Sequence, residues 1–193
     1  MKTFCRITVL LFSILPASVS VLSQTAVAPP PTPADNGPSL EATMQFIQNK
    51  IGGLGSLNWA TYVHDNVSGS DWVVRKSSEI TDFKAFPASC ILGFQSKFAI
   101  DGETKEDKKA GIPFRDLQDV VILPMERIDK EDDSKNGNVT WSYRYDLPIF
   151  VLKIRNRQYN NIFFLNDEDL ANRLAKAIVH AAELCGGGNK DPF

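Results

Sequence analysis

Only two histidines stand in the 193 residues, His64 and His180, and their neighbours decide what chemistry is open to them. His64 is followed at once by Asp65, and Asp71 comes shortly after. An imidazole beside a carboxylate is the smallest pair that can work as a general base. The same residues offer nitrogen and oxygen ligands to a divalent metal, so His64 and Asp65 are the candidate metal ligands. His180 lies beside an apolar helical stripe, an ordinary setting for a boundary histidine. A cysteine nucleophile would have to be Cys90 or Cys185 acting with one of these histidines, and neither carries a local signature. HExxH, GxSxG and P-loop patterns are absent. No residue is therefore assigned a catalytic role, and no cofactor is implied.

Two alternating rows are candidates for ligand binding. Trp141, Tyr143 and Tyr145 place three rings on one face of an extended segment. Such a row serves as a stacking platform for sugars or an aromatic partner, or it forms half of an apolar core. The burial habits of aromatic residues favour the core. Lys153, Arg155 and Arg157 alternate likewise, opposite Phe150, Leu152 and Ile154. Lys105, Lys108 and Lys109 form a second basic group, diluted by Glu103, Glu106 and Asp107. A cationic row can grip anions, but a solvated strand face has the same pattern, and the mixed charge favours that reading.

The elements that position these residues are legible from periodicity and caps. Tyr159 to Gly188 reads as a short strand over Ile162–Leu165 followed by a helix. Asn166 or Asp167 caps that helix, and Glu168 and Asp169 suit its dipole. Leu170, Ala171, Leu174, Ile178, Ala181, Ala182 and Cys185 share one face, and Gly186 ends it. A first helix opens at Ser39 with a stripe of Leu40, Met44, Ile47 and Ile51, and stops at Gly52-Gly53. Between the helices the texture is strand-like. Trp59, Thr61 and Val63 face one way, with Tyr62 and His64 opposite; Asn66–Ser70 is a turn, and Trp72–Val74 is extended. Cys90, Leu92, Phe94 and Phe98 share a face, Asp101-Gly102 is a turn, and the charged run Glu103–Lys109 reads as an exposed loop. Phe114–Leu117 suggests one helical turn before a strand at Val120–Leu123. Asp129–Asn138 reads as a polar loop without the ligand spacing of an EF-hand. Strands at Val139–Tyr145, Pro148–Arg155 and Asn160–Leu165 follow. The expected fold is α+β: an N-terminal helix, about seven mainly antiparallel strands forming a curled sheet or open barrel, and a closing C-terminal helix. Strand–helix alternation is missing, so a Rossmann-type site is excluded.

The ends of the chain point to export. Residues 1–23 have a short basic front, an apolar run too short to span a bilayer, and small residues, as in a signal peptide. Residues 24–38 contain APPPTP and read as a disordered tether; 39–188 form the domain, and 189–193 a tail. Loss of Lys2 and Arg6 with no acidic residue moves the formal charge from −2 to −4, which argues against nucleic acid as a partner. In an oxidising compartment the remaining cysteines, Cys90 and Cys185, form a disulfide, the alternative being two buried free thiols.

The strand count and final helix resemble the pleckstrin-homology-like fold. The strings PSLEATMQFIQNKI, YVHDN, LQDVVILP and DEDLANRLAKAIVHAAELCGGGNKDPF resemble a family of small exported bacterial proteins of unknown function. That resemblance implies a periplasmic or extracellular location and no assigned catalytic residues. In a bacterial setting the sequons at Asn66 and Asn138 stay unmodified. The expected function is an exported, non-enzymatic module binding a protein, peptide or envelope component, without a transmembrane segment after signal removal. The alternative is a small hydrolase or metal-dependent enzyme centred on His64 and Asp65.

Overall fold

The computed structural model describes residues 37–136 and 140–187. The expected signal peptide, nearly all of the tether and the C-terminal tail lie outside the described residues. Helix α1 (Leu40–Gly52) begins where Ser39 Oγ accepts the Ala42 N–H at 3.2 Å. Its stripe of Met44, Ile47 and Ile51 is fully buried. Helix α3 (Glu168–Leu184) is capped by Asp167, whose Oδ1 accepts the Leu170 N–H at 3.0 Å. Gly186 follows it with φ +72°, the left-handed conformation expected of a helix stop.

Eight strands lie between and around these helices, in two sheets that do not close on each other. One has the order β4-β3-β2-β1-β6, from β1 (Ser56–Asp65), β2 (Asp71–Phe86), β3 (Ile91–Ile100), β4 (Glu103–Pro113) and β6 (Trp141–Tyr145). The other has the order β5-β7-β8, from β5 (Leu117–Pro124), β7 (Phe150–Asn156) and β8 (Asn160–Leu165). Every pairing is antiparallel. The α+β class, the antiparallel strands and the two framing helices match the sequence reading, with eight strands where about seven were expected.

Three expectations are corrected. The extended run at Trp72–Val74 is only the start of β2, which continues for 16 residues. Its alternation is broken at Asp82, where a bulge with φ 53° leaves Thr81 and Asp82 both exposed before Phe83 turns inward. The charged run Glu103–Lys109 is not a loop but most of β4, joined to β3 by a tight turn with positive φ at Asp101 and Gly102. A terminal strand tolerates such a run because one side of its backbone already pairs and charge discourages a second partner. Asp129–Asn138 is not a loop either, since α2 (Met125–Asn136) covers most of it. The Lys130–Glu126 and Arg127–Glu131 pairs, at 2.6 and 3.0 Å, supply the one-turn spacing that supports a polar helix.

The three-stranded sheet carries a core on each face. Leu152, Ile154, Phe163 and Leu165 point into the larger core with α1, α3 and the inner residues of β2 and β3. There the rings of Phe83, Phe94 and Phe163 meet at centroid distances of 5.1 to 6.3 Å. Val151 and Phe164 point the other way, into a smaller core with Trp59, Met125 and Ile149. Phe98, placed by sequence with Leu92 and Phe94, belongs to this second core. It keeps the face of Leu92 and Phe94 by alternation, but it lies farther along β3 and so meets Trp59 and Phe164 instead.

Cys90 occupies the corner between a 3₁₀ turn (Pro87–Ser89) and β3, and Cys185 ends α3. Their sulfurs lie 2.12 Å apart with Cα atoms at 5.9 Å, a disulfide distance. A link across a sequence separation of 95 restricts the unfolded chain by about 4.7 kcal/mol in the loop-entropy account, an upper figure for what is measured. Converting both cysteines to alanine should therefore lower the unfolding free energy by up to about 4.7 kcal/mol, measured in urea. Thiol labelling of Cys90 and Cys185 in unreduced, denatured protein should be negligible, and full labelling would contradict the link.

Candidate functional site

At the end of the large sheet away from α3, strands β2, β1 and β6 bring a compact group of polar and aromatic residues together. Register places His64 opposite Asp71 on one side and Ser142 on the other, and Tyr62 opposite Val73 and Arg144. Cross-strand partners share a face, so these side chains stand on one surface. His64 Nδ1 lies 2.8 Å from Asp71 Oδ1. The Arg144 guanidinium sits 4.2 Å from the centre of the Tyr62 ring, a cation–π contact. On the opposite face Trp72 meets Trp141 edge-on at 5.0 Å. An open cleft of about 380 Å3 spans this corner, lined by Tyr62, His64, Asp71, Trp72, Tyr143 and Arg144 among others.

The sequence-predicted residues are only partly gathered here. Asp65 does not join His64, because successive strand residues point to opposite faces. It organises the following turn instead, accepting from the Val67 N–H at 2.9 Å, the Ser68 hydroxyl at 2.7 Å and the Thr140 hydroxyl at 3.2 Å. The Ser68 hydroxyl is the main reason its carboxyl is held below the ordinary aspartate range. His64 and Asp65 are therefore not a shared ligand set, and no cluster of three or more metal-binding side chains occurs among the described residues. His180 stands on α3 with Nε2 3.0 Å from the Pro38 carbonyl oxygen, where it fastens the entry to α1.

The aromatic row divides between site and core. Tyr143 is half-buried at the cleft and Trp141 half-buried against Trp72, whereas Tyr145 turns into the second core and donates to Asp129 Oδ2 at 2.8 Å. Among the basic candidates, Arg155 pairs with Asp119 at 2.8 Å across β5 and β7. Lys105 pairs with Glu103 at 2.6 Å and Lys108 with Glu106 at 2.5 Å. Lys153 and Arg157 lie away from the cleft, with β7 and the turn after it. Arg144 was missed because its significance comes from a ring far earlier in the chain. Only its position between Tyr143 and Tyr145 hinted that it shares the Tyr62 face.

Beneath the site, α2 is tied to the sheet by a largely buried ion pair. Lys76 Nζ lies 3.2 Å from Asp129 Oδ1, with both side chains about one-eighth exposed. One turn along, Asp133 is 9% exposed and its Oδ2 has no hydrogen-bond partner. Burial, and then the like charges of Asp129 and Asp132, push its carboxyl above the ordinary aspartate range, against the pull of Lys76. Burial likewise pushes the Tyr145 hydroxyl upward, with Asp129 adding to the effect. These groups hold β6, and with it Arg144 and Tyr143, against α2.

No protein-family model, curated protein or solved structure matches the chain.

The Asp133 setting gives a signed pH dependence. A raised carboxyl stabilises the fold fully below its unfolded pKa, and that contribution is lost as pH rises through the folded value. Asp133→Asn should thus stabilise the protein at neutral pH by about 1 kcal/mol, the scale of an unpartnered buried group. The gain should vanish below the ordinary aspartate pKa, as urea unfolding across acidic to neutral pH will measure. A variant less stable than the parent at neutral pH would contradict this reading.

Proposed function

We propose that the protein is an exported, non-enzymatic binding module that uses the β2-β1-β6 corner to hold a protein, peptide or other envelope component. The observation that carries this is the Arg144–Tyr62 stack beside partly exposed Val73, with Trp72 partly exposed on the other face of the same corner. Arginine, tyrosine and tryptophan supply most of the strong contacts in recognition surfaces, and a preformed stack enters a complex with less ordering left to do. Export is supported by the signal-like leader and by the cysteine pair at disulfide distance, which suits an oxidising compartment. We read the two antiparallel sheets and α3 as a pleckstrin-homology-like open barrel with the helix at its mouth. The chain then belongs with the small exported bacterial proteins it resembles in sequence. No helix among the described residues is long and apolar enough to cross a membrane.

A second reading is favoured by one distance. His64 and Asp71 at 2.8 Å form a base with an orienting carboxylate, and Ser142 stands opposite His64 on β6. In this version a small hydrolase uses Asp71 in the role that sequence gave to Asp65. Against it, the Asp71 side chain is 79% exposed, so water competes for the imidazole and weakens its orientation.

One experiment separates the two readings. Immobilised mature protein is exposed to envelope extract beside an Arg144→Ala variant, and both are treated with a fluorophosphonate that labels activated serines. The binding reading expects a partner whose retention falls about tenfold on Arg144→Ala, with unchanged melting temperature, and no label. Equal retention by both proteins would end the role of the stack. Covalent labelling lost in Ser142→Ala would favour the hydrolase.

A further inference from the structure

A larger opening lies elsewhere, at a place the binding corner does not explain. Strand β4 ends the five-stranded sheet and β8 ends the three-stranded sheet, so each pairs on one side only. Residues from these two terminal strands and the turn before β8 face one another across a groove of about 680 Å3. Lys108, Lys109, Ala110 and Gly111 line one wall, and Tyr159 and Asn161 stand in the other. A strand edge presents a row of main-chain donors and acceptors, and here two such rows border one space.

We propose that this groove binds an extended peptide with acidic side chains, which adds as a strand to these edges. Four features of the lining favour that occupant. The charge that protects β4 against strand addition is concentrated in Glu103–Lys109 and stops at Ala110-Gly111, where small side chains leave the backbone open. Asn161 is only 2% exposed and its Nδ2 has no partner, so this buried donor gains a hydrogen bond if the side chain turns toward a peptide carbonyl. Tyr159, 62% exposed, offers a ring against which a side chain of the added strand can pack. The basic rim sets the sign of the charge. Lys108 is already paired with Glu106, which leaves Lys109 without an ion pair among the described residues to meet a carboxylate. Each wall runs about four residues, or roughly 13 Å of extended chain, so the bound segment is short. Main-chain bonds would supply affinity, and the pocket beneath alternate side chains would supply selectivity.

The test uses the full mature protein and three labelled peptides in fluorescence polarisation. One alternates valine and glutamate, the second alternates valine and lysine, and the third is the glutamate peptide N-methylated at alternate residues. The glutamate peptide should bind, with the lysine peptide at least about tenfold weaker, as charge complementarity requires. The N-methylated peptide should bind at least about tenfold more weakly, because alternate methylation removes the main-chain donors that face one of the two edges. Lys109→Glu should weaken the glutamate peptide about tenfold and leave the melting temperature unchanged, since the residue is exposed. Arg144→Ala, at the other corner, should leave this affinity unchanged, so failure here and failure of the binding corner are distinguishable. Amide shifts in the bound protein should concentrate at residues 108–111 and 158–161. Equal binding of the N-methylated peptide, binding lost through Arg144→Ala, or no binding at all would overturn the proposal. So would a concentration-dependent dimer that the peptide dissociates, because the occupant of the groove would then be a second copy of the chain.

Discussion

The burial of one face of α3 is the constraint on which the other elements depend. Ala171, Leu174, Ile178, Ala181 and Ala182 are fully removed from solvent, and nothing in α3 itself can cover them. Leu174 and Ile178 are each worth about 1.5–3 kcal/mol by burial, more than all the surface ion pairs of α2 at about 0.3 kcal/mol each. The small alanines let α1 approach closely, so Met44, Ile47 and Ile51 complete the same core rather than a separate one. Gly187 marks the end of the fit, where a Cβ would overlap the Phe114 carbonyl and force the backbone apart. The Cys90–Cys185 contact then fixes the helix terminus to the corner that starts β3.

Because the three-stranded sheet is apolar on both faces, it divides the interior into unequal parts. The larger part anchors the helices, and the smaller rests on Trp59, Phe164 and the first turn of α2. Beyond the smaller core, at the β2-β1-β6 end, Trp72, His64 and Arg144 remain accessible. The remaining stabilisation of that region is polar: Lys76, Asp129 and Tyr145 meet where an apolar contact would otherwise sit. A buried ion pair of this kind adds little net stability but penalises other arrangements of β6 against α2. The binding corner is therefore held in place by electrostatics on a scaffold held together by apolar burial.

Both framing helices were legible in the sequence because their signals are local. Ser39 and Asp167 cap them, and the stripes repeat at helical spacing. Asn160–Leu165 was legible too, as a short strand bounded by turn residues. What could not be read depended on distant partners. The length of β2 was hidden by Asp82, whose bulge interrupts the alternation that marks a strand. The charged run of β4 looks like a loop until β3 is known to pair with it, and α2 looks like a loop because its apolar contacts are few. At the site, alternation correctly placed Tyr62 with His64, but it could not show that Asp71 and Arg144 arrive beside them. Those meetings are set by register between segments, which no single window of sequence contains. The adjacency of Asp65 misled for the same reason: neighbours in a strand diverge.

Native-state hydrogen exchange tests the primacy of α3 most directly. Amides from Ala171 to Ala182 should open only with the whole fold and share the free energy of β7, while those of α2 open at a lower free energy. Exchange of α3 by local opening, well below the free energy of β7, would contradict the account.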